Sequence, residues 1–236
     1  MRKSQDVLFY NSILKRKDGN MNWDDLYEDP RFCLRDPAEE VVKVVSLLRL
    51  RETERILDLG FGAGRHIIYL AGLGFKMYGT DISERGEQIT REWLEREGLR
   101  AELVMSDMTT IPYPDNFFGA CICRGVITHN TVSGIRSCIA EMQRTLMPGG
   151  IVMCTFISRE SSEYQKGEEV EPYTFVPREG IEAGVPHHFV DEEETRSLMQ
   201  CFRLIEVYRM KHSGLIDVGI PYVSAHWVFV GEKKSS

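Results

Sequence analysis

Two hydrophobic periods take turns along the chain, and their order predicts the fold. Ile56, Leu57 and Leu59 form a short apolar run suited to a buried central strand. Gly60, Gly62 and Gly64 follow at once, where a chain turning over a strand end needs positive φ or close backbone approach. Helical spacing then covers 65–73, a second strand Phe75 to Asp81, a second helix 84–97, and a third strand 101–105. Asp115 to Gly119 reads as a turn leading into a fourth strand, Ala120 to Cys123. A helix over 135–146, the turn Met147 to Gly150 and a fifth strand, Ile151 to Ile157, complete the alternation. Such βα alternation predicts a three-layer α/β sandwich around a mostly parallel sheet. Asp36 and Pro37 place an N-cap and a first-position proline before a helix through Val41, Val44 and Leu47 towards Leu50. Asp191 caps a helix to Gln200, and Phe202 to Lys211 and Ala225 to Gly231 predict an antiparallel edge hairpin. The expected total is seven strands.

The pattern fails in two places. Residues 1–20 are polar and basic and read as a loosely attached extension to a domain over 21–236. Arg159 to Phe189 is too long for an ordinary connection, so it is either functional or disordered. Its polar and aromatic content, with Tyr164, Glu171, Tyr173, Thr174, His187 and His188, favours function, and a segment after the fifth strand lies over the substrate side of such a sheet. Adjacent His187 and His188 point to opposite sides of an extended segment, and no ligand set accompanies them, so no metal site is expected.

Composition narrows the function. A chain of 236 residues, 42% hydrophobic and 28% charged, suits one globular core. A formal charge of −7 argues against a nucleic-acid face and for a small neutral or cationic partner. No apolar run approaches the roughly 18–20 residues of a membrane span, and Asp6, Asn11 and Ser12 break the N-terminal apolar stretch, so a cytoplasmic location is the default expectation. Six cysteines without a C-x-x-C pair disfavour a zinc knot or disulfide scaffold, and Cys121 and Cys123 read as core residues on one strand face.

The candidate chemistry centres on Asp81. It falls about 20 residues past the first glycine, where α/β nucleotide folds place a ribose-binding carboxylate. Charge-assisted bonds to two ribose hydroxyls would contribute roughly 1.5–3 kcal/mol each. Alternatively, Asp81 or Ser83 caps the next helix.

Leu57-Asp-Leu-Gly-Phe-Gly-Ala-Gly64, Gly79-Thr-Asp81, Ser106-Asp-Met108 and Leu146-Met-Pro-Gly-Gly150 resemble, in order, the motifs of class I S-adenosylmethionine-dependent methyltransferases. The likeness is close over 40–158 and loose elsewhere. A nicotinamide-dependent oxidoreductase is the main competitor, but its fingerprint needs glycine where Arg65 stands. A cofactor-binding regulator without catalysis is the non-enzymatic alternative. The resemblance implies S-adenosylmethionine as cofactor, bound by Asp58, Gly60, Phe61, Gly62, Gly64, Asp81, Ile82, Asp107, Met108 and Arg124, with Asp107 receiving the adenine amino group and Met108 packing on the ring. It also implies that 21–50 supplies a lid and helix, with Trp23 and Tyr27 four apart on one face, although core packing serves those two equally well.

On the acceptor side the chain reads Arg124-Gly-Val-Ile-Thr-His-Asn130, with His129 a candidate general base or a packing residue. The Asn-Pro-Pro-Tyr clamp for exocyclic amines is absent, as is an acidic magnesium cluster. The general look is that of small-molecule enzymes of the ubiquinone/menaquinone and tellurite-resistance types, with Trp23, Tyr27, Tyr164, Glu171, His187 and His188 facing a small-molecule acceptor. Oligomeric state and acceptor atom are not legible.

Overall fold

A computed structural model describes residues 22–180, 182–215 and 221–235. The expected extension, 1–20, lies outside the described residues. The elements in chain order are α1 (Trp23–Tyr27), α2 (Glu39–Leu50), β1 (Arg55–Leu59), α3 (Arg65–Gly72), β2 (Lys76–Asp81), α4 (Glu84–Glu97), β3 (Ala101–Met105), β4 (Phe118–Cys123), α5 (Val132–Thr145), β5 (Leu146–Ile157), β6 (Glu168–Glu171), β7 (Thr174–Val176), β8 (His187–His188), α6 (Glu192–Leu198), β9 (Phe202–Leu215) and β10 (Pro221–Lys233).

Seven strands form one sheet in the order β3-β2-β1-β4-β5-β10-β9. The five through β5 run parallel, and β10 and β9 add an antiparallel edge. The central strands are apolar on both faces because helices cover both. Ile56, Ala120, Ile122, Ile151 and Met153 face α2 and α3, burying Val41, Val44, Leu48, Ile67 and Leu70. Leu57, Leu59, Cys121, Cys123, Val152 and Cys154 face α5, against Ile135, Ile139 and Met142. Cys121 and Cys123 are thus core residues, as their alternation predicts. The edge strand β9 exposes Arg203, Glu206, Arg209 and Lys211, charges that discourage pairing with another chain.

The boundaries differ from the sequence reading where tertiary contacts decide them. Helix α2 starts at Glu39 with Ala38 as an N-cap lacking a side-chain bond, so Asp36 is not the cap. A residue before proline is pushed out of the α region, and the Ala38 N–H instead donates to Nε2 of His66 at 3.3 Å. Helix α5 begins at Val132, three residues earlier than expected. Thr131 caps it by accepting from the Gly134 N–H, and the Glu171 carboxylate accepts from the Val132 N–H. Segment 159–189 folds into a small antiparallel sheet, β6-β7-β8, packed on its own cluster of Ile157, Phe175, Phe189 and Tyr164.

Phe118 is fully buried and meets Tyr78, Tyr113 and Phe117 edge-on, at centroid distances of 5.5, 5.0 and 5.0 Å. Phe118→Ala is expected to cost about 3–5 kcal/mol. Urea unfolding should show this as a lower midpoint with an unchanged m-value.

Candidate active site

The strand order changes direction between β1 and β4, and ligands of open α/β sheets bind at such a switch point, above the carboxyl ends of the strands. The turn after β1 is pinned there by β2. Gly60 N–H donates to the Thr80 carbonyl at 2.7 Å. Gly62 N–H donates to Oδ2 of Asp81 at 2.7 Å, and Ser83 N–H donates to Oδ1 at 2.9 Å. Burial raises the pKa of Asp81 despite these N–H bonds. Gly62 has φ +54, and a Cβ there would overlap the Tyr27 hydroxyl. A side chain at Gly60 would overlap Val126. Close backbone approach is therefore required at both positions.

Helix α1 closes over this turn. Asp24 Oδ1 accepts from Ser83 Oγ at 2.7 Å and from Arg85 N–H at 3.0 Å, fastening α1 to the start of α4. Tyr27 lies part-buried over Gly62, and desolvation there raises its pKa.

The turn, α1 and the loop after β4 enclose a cavity of ≈ 450 Å³. Its wall includes Gly60, Phe61, Gly62, Asp81, Ile82, Asp107, Met108 and Arg124 from the cofactor set, and Trp23, Tyr27 and His129 from the acceptor set. Ile82 is 49% exposed, an apolar side chain left facing open space beside Asp81. Arg124 is anchored by Glu40, Nε to Oε1 at 3.0 Å. At the other end Trp23 and His129 meet edge-on, with centroids 5.3 Å apart.

Several expected residues sit behind the wall. Gly64 is left-handed, φ +86, and a Cβ would collide with Thr90, so its role is in the turn. Asp58 is buried beneath the turn, with Oδ2 lacking a hydrogen-bond partner and 3.9 Å from Nδ1 of His66. Burial first, and the Asp81 carboxylate second, push its pKa up to about 8. Tyr164 packs edge-on to Phe175 and Phe189, and Glu171 caps α5. His188 is fully buried between Thr174 Oγ1 at 2.7 Å and Glu194 at 3.1 Å. Tyr164, Glu171 and His188, expected to face the acceptor, thus make contacts within the small sheet and with α5 and α6 and are not among the cavity's lining residues. His187 backs the wall, edge-on to His129 with centroids 4.8 Å apart.

Glu182, His226 and Ser224 also line the cavity and had no local signal. Glu182 lies in the insertion suspected of function, whereas His226 and Ser224 sit in an ordinary strand pattern. Burial depresses His129 to about 4, more than the nearby Glu182 carboxylate raises it. It therefore offers an unprotonated nitrogen but little basicity at neutral pH.

The fit to an adenosyl ligand rests on this geometry: a backbone cradle that a Cβ would fill, a strand-end carboxylate and an apolar Ile82 and Met108 wall. These features match what a nucleoside needs at the switch point of a Rossmann-like sheet. Residues 56–150 match the family described as a methyltransferase domain. A ubiquinone/menaquinone biosynthesis C-methyltransferase of Cupriavidus taiwanensis is 27% identical over 177 residues, covering 72% of this chain and 70% of that protein. A solved S-adenosylmethionine-dependent methyltransferase from Methanosarcina mazei superposes with TM-score 0.66 at 20% identity, covering 81% of this chain and 98% of the other. TehB of Haemophilus influenzae superposes with TM-score 0.65 at 16% identity over 90% and 68% of the two chains. Residues 56–150 thus match a methyltransferase domain, and the chain has the fold of the solved S-adenosylmethionine-dependent methyltransferases, which supports S-adenosylmethionine as the cofactor.

Two predictions follow from the carboxylates. Asp81→Ala is expected to abolish most of the melting-temperature rise that S-adenosylhomocysteine gives the wild type by binding only the native state; an equal rise in both would contradict ribose binding by Asp81. Asp58 has a folded pKa above its unfolded value. The folded state then binds more protons, so stability present below about pH 4 is lost as pH rises towards about 8. Asp58→Asn should flatten that decline in urea titrations across the same window.

Proposed function

We propose that the protein methylates a small, planar hydroxylated ring, at the ring carbon or its oxygen, in the far end of this cavity. The observation that carries the reading is that the cavity has two chemically different ends. Asp81, Ile82 and Met108 suit a nucleoside, whereas Trp23, His129 and His226 present rings and a low-charge wall. Burial holds His226 near 3, so this end is uncharged apart from Glu182. The likeness to ubiquinone/menaquinone C-methyltransferases supports an aromatic acceptor.

S-adenosylmethionine supplies a methyl group already activated by its sulfonium. The chain then has to position: Asp81 takes the ribose hydroxyls, Asp107 and Met108 the adenine, and Arg124, steadied by Glu40, a carboxylate. Such orientation can supply on the order of 7–11 kcal/mol of the barrier. Segments 21–50 and 159–190 act as lids that exclude water, within one domain over 21–236. The protein works in the cytoplasm, a reading supported by six free cysteines, and does not bind nucleic acid, given its charge of −7.

Release of S-adenosylhomocysteine on a panel of quinols, phenols, amines and thiols tests the reading. Product with quinols or phenols is expected, and exclusive turnover of amines would sink it. With an acceptor in hand, Trp23→Ala should raise its KM roughly 2- to 12-fold, the loss of one aromatic contact, with kcat little changed.

A further inference from the structure

Three side chains unconnected by any local pattern meet at the acceptor end. His129 comes from the loop after β4, Glu182 from the turn before β8, and His187 from β8 itself. One ligating atom from each lies within 4.8 Å of the other two, the one such cluster of histidine, cysteine and acid side chains among the described residues. Nδ1 of His129 and Nε2 of His187 are buried without a hydrogen-bond partner. Glu182 Oε2 comes within 3.0 Å of that Nε2, but not in hydrogen-bonding geometry. Buried nitrogens left without partners are destabilising, so their convergence asks for an occupant.

The donor types choose the occupant. Two imidazoles and a carboxylate form a three-ligand zinc set that keeps its fourth position for water or substrate. Magnesium and calcium prefer oxygen shells. Donors about 2.0–2.2 Å from a tetrahedral ion lie roughly 3.3–3.6 Å apart, so side-chain adjustments of about 1 Å would close the widest gap. The scaffold is firm: β8 pairs with β7 through Phe175 and His187, and His188 N–H donates to the Thr128 carbonyl at 2.9 Å, tying β8 to the loop that carries His129. His129 and Glu182 line the cavity while His187 stands behind them, which turns an open coordination position towards the acceptor.

We propose that His129, Glu182 and His187 bind one zinc-type divalent ion whose open position ionises the acceptor's hydroxyl; this second clause rests on the acceptor reading above. On coordination the acceptor O–H bond breaks, an oxygen–metal bond forms and the proton leaves to water, as for zinc-bound water near neutral pH. The resulting oxyanion either bonds the methyl through oxygen or directs its electrons to a ring carbon, which bonds the methyl and then gives up its ring proton to water; in both cases the electrons of the broken methyl–sulfur bond stay on sulfur. His129 then serves as a ligand instead of a general base, since its lone pair is committed to the metal.

The test uses the full chain, chelator-treated and dialysed, without cofactor or acceptor. Titration calorimetry with Zn²⁺ should show one ion per chain, and Co²⁺ should give the visible absorption of a four- or five-coordinate site. Glu182→Gln and His187→Ala should each weaken Zn²⁺ binding at least tenfold while circular dichroism stays native. Should His187→Ala fail to fold, Glu182→Gln alone decides. Absence of saturable binding, or unchanged affinity in a folded Glu182→Gln protein, would overturn the site while leaving the methyltransferase assignment intact. Tight binding with Zn²⁺-independent turnover of the identified acceptor would overturn its activating role.

Discussion

The bond from Gly62 N–H to the Asp81 carboxylate, 2.7 Å long, is the constraint on which the site depends. It joins the loop after β1 to the end of β2, two strands already paired in register from Arg55 with Lys76 to Leu59 with Thr80. The opposite face of the same peptide region is also used: the Gly62 carbonyl accepts from Thr90 Oγ1 at 3.1 Å, and Gly86 packs so near it that a Cβ would lie 2.8 Å from the oxygen. Helix α4 therefore reads the position of Gly62 directly, and α1 reads it through Tyr27. A loop held on both faces can present N–H groups and an acid to a ligand without reorganising, which is what preorganised binding requires.

The same burial that fixes these groups sets their charges. Desolvation raises the carboxyl pKa values of Asp58 and Asp81 and lowers the imidazoles of His66, His129 and His226. Both shifts favour neutral forms, as a low-dielectric interior must. Glu182 departs from this trend. Its pKa is lowered to about 2 because the His187 ring, 3.0 Å away, and the nearby His129 outweigh its burial. A carboxylate held ionised by its neighbours distinguishes the Glu182 end of the cavity from the Asp81 end.

The sheet was legible because both its faces are buried, so each central strand had to be apolar on alternate and intervening positions alike. Residues 56–59 and 120–123 carry that signal in the sequence itself. Gly60, Gly62 and Asp81 were legible for a different reason: close approach and a strand-end acid are demands on single positions at near-fixed spacing. Helix boundaries failed where a distant group intervened, as His66 does at Ala38 and Glu171 at Val132. Neither contact leaves a trace within three or four residues of the boundary it moves.

The acceptor end illustrates the limit most sharply. The alternation rule correctly separates His187 from His188, and the two do diverge: His188 turns inward to Thr174 and Glu194, His187 towards His129. What the rule could not supply is the partner, because His129 is 58 positions earlier by numbering, and meets His187 only after β8 pairs with β7 and docks on Thr128. A site made of backbone turns follows from local spacing, whereas one made of converging side chains follows from register between segments. The Gly62 and Asp81 end of this cavity is of the first kind and the His129 end of the second. Changes in the insertion can accordingly shift the His129 end through strand register while the Gly62 to Asp81 bond stays in place.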